Sequence, residues 1–172
     1  MTPALTEDEF WALINEVNSA ANGDPEAKEK ALEARLRALE PEAVLAFGEH
    51  FDAKFDQAYT WPLWAAAYII EGGCSDDGFM DFRSCVVFLG RDAYEAALEA
   101  PDSLAAQDDD VLEDLFYEGL QYAHSTVYEE KAGKSRPRRT NAPQEPPGEN
   151  WDEDDEEQLK QLCPRLFERF WA

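Results

Sequence analysis

The densest concentration of chemically able side chains runs from Trp61 to Arg83, through Trp61, Trp64, Tyr68, Cys74, Ser75, Asp76, Asp77, Asp81 and Arg83. A thiol, a hydroxyl, three carboxylates and a guanidinium there follow the paired glycines Gly72 and Gly73. Two kinds of chemistry suit such a set. Backbone N–H groups at a helix start can bind an anion, and grouped carboxylates can hold a divalent cation. The same residues also suit helix initiation. Ser75 is placed to cap, Asp76 and Asp77 to oppose the positive helix end, Gly78 to permit close packing, and Asp81 or Arg83 to form an ion pair. Trp61, Trp64 and Tyr68 can line a ligand pocket, or pack as core aromatics on a helical stripe.

Cys74 beside a helix N-terminus is a candidate nucleophile, because that position lowers a thiol pKa, but the neighbouring acids act the other way. His50 and His124 are the only imidazoles, and nothing local ties either to Cys74. Cys74, Cys85 and Cys163 are odd in number and widely spaced, so reduced thiols are expected rather than a disulfide framework or zinc site. The acidic run Asp152 to Glu157 lacks the central Gly and alternating ligands of an EF-hand and reads as a helix start. No metal site and no cofactor is expected.

The elements that position these residues announce themselves by caps and spacing. Thr6 and Glu9 form a capping box ahead of Phe10, Leu13, Ile14 and Val17, and Asn22-Gly23 ends that helix. Asp24-Pro25 and Glu40-Pro41 open the next two, whose inner faces carry Leu32, Leu36 and Leu39, then Val44, Phe47, Phe51 and Phe55. Trp61 to Ile70 is apolar nearly all round and is expected as the central core helix. The helix from Ser75 places Phe79, Phe82, Val86 and Leu89 inward, and a short one follows around Asp92 to Ala100, ended by Pro101. Asp108 to Asp110 introduce a single long amphipathic helix reaching Glu130. The last helix carries Leu159, Leu162, Leu166 and Phe170 and is interrupted at Cys163-Pro164.

The expectation is an all-α, irregular single-domain bundle of about seven or eight helices spanning 1–172, with a flexible Pro-rich, basic loop at 131–150. A length of 172 residues suits one core.

The passage from Trp61 to Arg83 resembles a family of uncharacterised bacterial proteins known as domain of unknown function 4240. The shared features are Trp-x-x-Trp-x-x-x-Tyr at Trp61 to Tyr68, Gly-Gly-Cys-Ser-Asp-Asp at Gly72 to Asp77, and Asp-Phe-Arg at Asp81 to Arg83. The resemblance extends to Glu9-Phe-Trp11, Gly90-Arg91, Pro101-Asp-Ser-Leu104, Pro146-Pro-Gly148 with Trp151-Asp-Glu-Asp154, and Pro164-Arg-Leu166. Lys131 to Arg139 resembles a variable insertion between these blocks. The family implies no activity, substrate or catalytic residue.

The chain holds 15 Lys and Arg against 38 Asp and Glu, a formal net charge of -23. Such a field repels phosphate backbones and anionic lipid, so neither nucleic acid nor a membrane is an expected partner. The opening residues lack the pattern of a secretory leader, and a cytoplasmic location is expected. The basic stretch from Lys131 to Arg139 is expected to fold against the protein's own acidic face. The leading functional expectation is a non-enzymatic protein–protein interaction or regulatory module that meets a basic protein partner. The alternative is an enzyme, small-ligand or metal-binding protein using the Gly72 to Arg83 passage. Catalysis itself and oligomeric state stay open.

Overall fold

The computed structural model describes residues 4–172. The reading of the N terminus as leaderless begins on residues 1–3, outside that range. Among the described residues there are ten α-helices, three single 3-10 turns or short 3-10 helices, and no strand. Seven of the α-helices have nine residues or more. This is an all-α bundle. Among the described residues no helix is long and apolar enough to cross a membrane.

The first six helices start where the local chemistry places them. They are α1 (Glu7–Ala21), α2 (Pro25–Arg37), α3 (Pro41–Gln57), α4 (Trp61–Glu71), α5 (Asp76–Val87) and α6 (Arg91–Glu99). The capping box of α1 is complete: the Glu9 N–H donates to Thr6 Oγ1 at 3.1 Å and the Thr6 N–H donates to Glu9 Oε2 at 2.7 Å. Proline occupies the first helical position of α2 and α3, where its missing N–H costs nothing. Thr60 caps α4 by accepting from the Leu63 N–H at 3.3 Å.

Beyond α6 the chain departs from the simple periodic reading. The single helix expected from Asp108 to Glu130 is broken into α7 (Asp109–Glu113), 3-10 turns at Asp114–Phe116 and Leu120–Tyr122, and α8 (Ala123–Ala132). Gly119 makes the break, with φ at 141°, and a Cβ there would lie 2.5 Å from a carboxylate oxygen of Glu29. The Tyr117 hydroxyl donates to the same Glu29 at 2.5 Å, so a long-range contact to α2 outweighs the local helical pattern. The last helices, α9 (Glu156–Leu162) and α10 (Pro164–Phe170), are divided at Cys163-Pro164 as the sequence reading has it.

Helix α5 touches α3, α4 and α6, while α1 packs on α2, and α2 and α3 both pack on α8. The C-terminal pair α9 and α10 covers α4. Phe10, Phe47, Phe79, Phe82 and Phe88 are fully buried, each contributing roughly 1.5–3 kcal/mol of transfer free energy. Helix α4 is central but not enclosed on every side. Leu63, Ala65, Ala66, Ala67 and Ile69 are buried, while Trp61, Trp64, Tyr68 and Ile70 lie on a half-buried flank. The C-terminal aromatics dock there: Trp151 Nε1 donates to the Trp61 carbonyl and Trp171 Nε1 to the Ile69 carbonyl, each at 2.7 Å.

Candidate functional site

The turn from α4 to α5 is stitched together by its own groups. Gly72 closes α4 with φ at 76°, and the N–H groups of Gly72 and Gly73 both donate to the Tyr68 carbonyl at 2.9 Å. Ser75 caps α5, its Oγ accepting from the Gly78 N–H at 3.1 Å, and exposed Asp76 and Asp77 stand in the first turn. Trp64 Nε1 donates to the Cys74 carbonyl at 2.9 Å, which pins the turn to α4. Burial, followed by Glu71, Asp81 and Asp76, pushes the Cys74 thiol up to about 12, so it is protonated at neutral pH.

Both imidazoles are engaged elsewhere. His50 Nε2 lies 2.9 Å from the Leu5 carbonyl. His124 is buried against Phe47 and Phe51, with Nδ1 3.4 Å from Arg136 Nη1 and Nε2 unpartnered. Burial first, then the Arg136 cation, hold its pKa down at about 4. Among the described residues, no three His, Cys, Asp or Glu side chains converge as metal ligands would.

The remaining candidates divide between two cavities that share Met80 as a wall. Helical spacing makes this division. Asp76, Met80 and Arg83 recur at i, i+4 and i+7, whereas Asp77 and Asp81 are offset by one residue onto the neighbouring stripe. The first cavity, of about 250 Å³, joins Asp76 and Arg83 to Asp56, Tyr59 and Arg139. There the Tyr59 hydroxyl donates to Asp76 Oδ1 at 3.1 Å. Arg139 is paired with Asp56, and its Nε lies 3.4 Å from Asp52.

The second cavity, of about 310 Å³, joins Asp77 and Asp81 to Glu118, Gln121 and Tyr122. Gln121 Nε2 donates to Asp81 Oδ1 at 2.8 Å. Burial, then the nearby Glu118 carboxylate, nevertheless raise the Asp81 pKa, with Asp77 adding to the effect. Tyr122 is 50% exposed and is the large hydrophobic side chain left in solvent among the described residues. Its hydroxyl pKa is raised by partial burial and then by Glu118, Asp81 and Asp77.

Trp61, Trp64 and Tyr68 form no single wall. Trp61 stacks on Trp64 at 5.3 Å, and Trp64 on Phe79 at 4.8 Å, which carries an aromatic ladder from α4 to α5. Tyr68 turns toward the C terminus, 5.1 Å from Trp151 and 5.8 Å from Trp171.

Asp56, Tyr59, Glu118, Gln121, Tyr122 and Arg139 line the cavities from outside the Trp61 to Arg83 passage. Only Tyr59 stood near the recognised passage. Glu118 and Tyr122 come from the region of the broken helix, and Arg139 from the basic stretch. That stretch does lie on the protein's own acid: Arg136 pairs with Asp52 at 2.5 Å, and Arg139 with Asp52 and Asp56.

The architecture is thus an all-α bundle with two small polar cavities on either side of one helix. The chain belongs to the family described as Protein of unknown function (DUF4240), which matches residues 5–130. The match spans α1 to most of α8 and ends just before the basic stretch. Comparison with curated proteins and with solved structures finds no match.

Proposed function

We propose that the protein is a non-enzymatic interaction or regulatory module whose Tyr122 patch receives a Lys or Arg side chain of a basic partner protein. The observation that carries this reading is Tyr122 itself, a half-exposed aromatic ring among Asp77, Asp81 and Glu118. An aromatic face attracts a cation, and adjacent carboxylates add charge-assisted hydrogen bonds. The net charge of -23 speeds the approach of a basic partner. A protonated Cys74 thiol and two imidazoles bound up elsewhere lend catalysis no comparable support. Three unpaired cysteines suit a reducing, cytoplasmic setting.

The test separates a specific patch from general acidity. A short Lys- and Arg-containing peptide is titrated into the protein at low and high salt, with backbone amide shifts as the readout. Tyr122→Ala combined with Glu118→Gln is expected to weaken binding roughly tenfold. Asp154→Asn, which removes one charge from the remote acidic run, is expected to change it by less than about twofold. Equal losses in the two variants would mean that the peptide senses only overall charge, and the reading would fall.

A further inference from the structure

Arg83 is a buried cation that Asp76 and Asp56 favour at a distance but that no carboxylate pairs directly. The residue is 4% exposed, with its Cζ 3.9 Å from the Phe55 ring centroid and 4.0 Å from that of Tyr59. Nη1 donates to the Phe55 carbonyl at 3.1 Å, and Nε is buried without a partner. Among the described residues no carboxylate lies within ion-pairing distance of it. A guanidinium offers five N–H donors in a planar fork shaped for a carboxylate. Aromatic stacking offsets part of the cost of burying it, and the Phe55 carbonyl takes one Nη1 donor, which leaves the rest of the fork's hydrogen-bonding capacity unused.

The surroundings define what can complete it. Arg83 lines the 250 Å³ cavity, whose other charged groups are Asp56, Asp76 and Arg139. Arg139 and Asp56 are paired with each other. Asp76 gives one oxygen to the Tyr59 hydroxyl and is otherwise exposed, so it remains an acceptor at the cavity wall. Met80 and Pro143 supply apolar surface. A cavity of this size suits a small molecule rather than a peptide or nucleotide. The field of a chain with net charge -23 repels polyanions, whereas a zwitterion adds no net charge.

We propose that this cavity binds a small zwitterion, its carboxylate held by the Arg83 fork and its ammonium by Asp76, with the apolar remainder against Tyr59, Met80 and Pro143. The chemistry is that of a free amino acid. Whether its two charges are separated as in an α-amino acid or an ω-amino acid is decided by the probes.

The full chain is titrated with leucine, 6-aminohexanoate, 3-phenylpropionate, phenethylamine and inorganic phosphate, using calorimetry and ligand-observed NMR. One of the two amino acids is expected to saturate the protein, with the carboxylate-only, amine-only and phosphate probes roughly tenfold weaker or worse. Arg83→Lys, which keeps the charge but loses the fork, should weaken the amino acid about tenfold. Asp76→Asn, at an exposed position that leaves the Ser75 cap intact, should weaken the amino acid several-fold and leave 3-phenylpropionate unchanged. If Arg83→Lys does not fold, Asp76→Asn carries the test. The proposal is overturned if neither amino acid saturates by about 10 mM, if phosphate binds more tightly, or if Asp76→Asn leaves amino-acid affinity unaltered. Tyr122→Ala alters the other cavity, so failure here and failure of the interaction reading are separable.

Discussion

Arg136 and Asp52 form an ion pair across 84 residues of sequence, Nη2 to Oδ2 2.5 Å apart, with their side chains only 17% and 16% exposed. The pair fastens an otherwise irregular segment to α3. Arg139 adds a second fastening on Asp52 and Asp56. Partial burial limits screening by salt, which distinguishes these contacts from the exposed Lys30–Glu26 pair.

Arg136→Ala is therefore expected to cost about 1–3 kcal/mol, between the ranges for exposed and buried pairs. Limited proteolysis should cut the segment after Gly133 faster in the variant, and urea unfolding should show the lost stability. Unchanged cleavage and an unchanged midpoint would contradict the fastening.

Gly48 lies inside α3 against the buried imidazole of His124. A Cβ on Gly48 would stand 2.7 Å from Nδ1 and 3.4 Å from the Arg136 Cζ. Alanine normally favours a helix over glycine by about 1 kcal/mol. Here the overpacking should exceed that gain, so Gly48→Ala is expected to lower stability by about 1–2 kcal/mol. A rise in melting temperature would show that His124 has room to move.

His124 also makes stability fall on the acid side. Its folded pKa of about 4 lies below the ordinary value near 6.5, so the unfolded chain takes up a proton that the folded chain refuses. This contribution is intact above about pH 6.5, is lost as pH falls toward 4, and amounts to something on the order of 3 kcal/mol. His124→Gln should flatten the dependence of the urea midpoint over that window. Parallel curves for the two proteins would rule out His124 as its source.

Cys74 is expected to behave as an inert thiol. With burial and neighbouring acids holding its pKa at about 12, its reaction with a disulfide reagent at pH 8 should be about a hundredfold or more slower than that of a free thiol. All three cysteines should react once the chain is unfolded in urea. Rapid reaction of one thiol in the folded protein, mapped to Cys74, would reopen the nucleophile reading.

Gly119→Ala tests the break between α7 and α8. The positive φ opposes it, and the Glu29 carboxylate would have to shift from its bond with Tyr117 to make room for the added Cβ, so a loss of about 1–3 kcal/mol is expected. A stable variant with increased helical circular dichroism would mean that the region can close into the continuous helix its spacing suggests.

Where a structural decision rests on neighbours within one or two turns, the sequence alone determined it. The Thr6–Glu9 box, the prolines at Pro25, Pro41 and Pro164, the Ser75 cap and the apolar stripe Val44, Phe47, Phe51 and Phe55 all act at separations of three or four residues. Their physics is contained in the local order of side chains. Even the division of Asp76 and Arg83 from Asp77 and Asp81 follows from helical spacing.

Tertiary structure alone decided what those side chains meet. Val111 to Ala123 has a helical pattern, yet Tyr117 and Gly119 close on Glu29 far away on α2, and the helix is broken there. Arg83 reads as half of an ion pair, but the fold sets it against Phe55 and Tyr59 with part of its fork unpartnered. The cavity it lines was invisible in sequence because Asp56, Asp76, Arg83 and Arg139 become neighbours only when three distant segments pack together. Helix caps are short-range and additive; such a cavity exists only as a product of the whole packing.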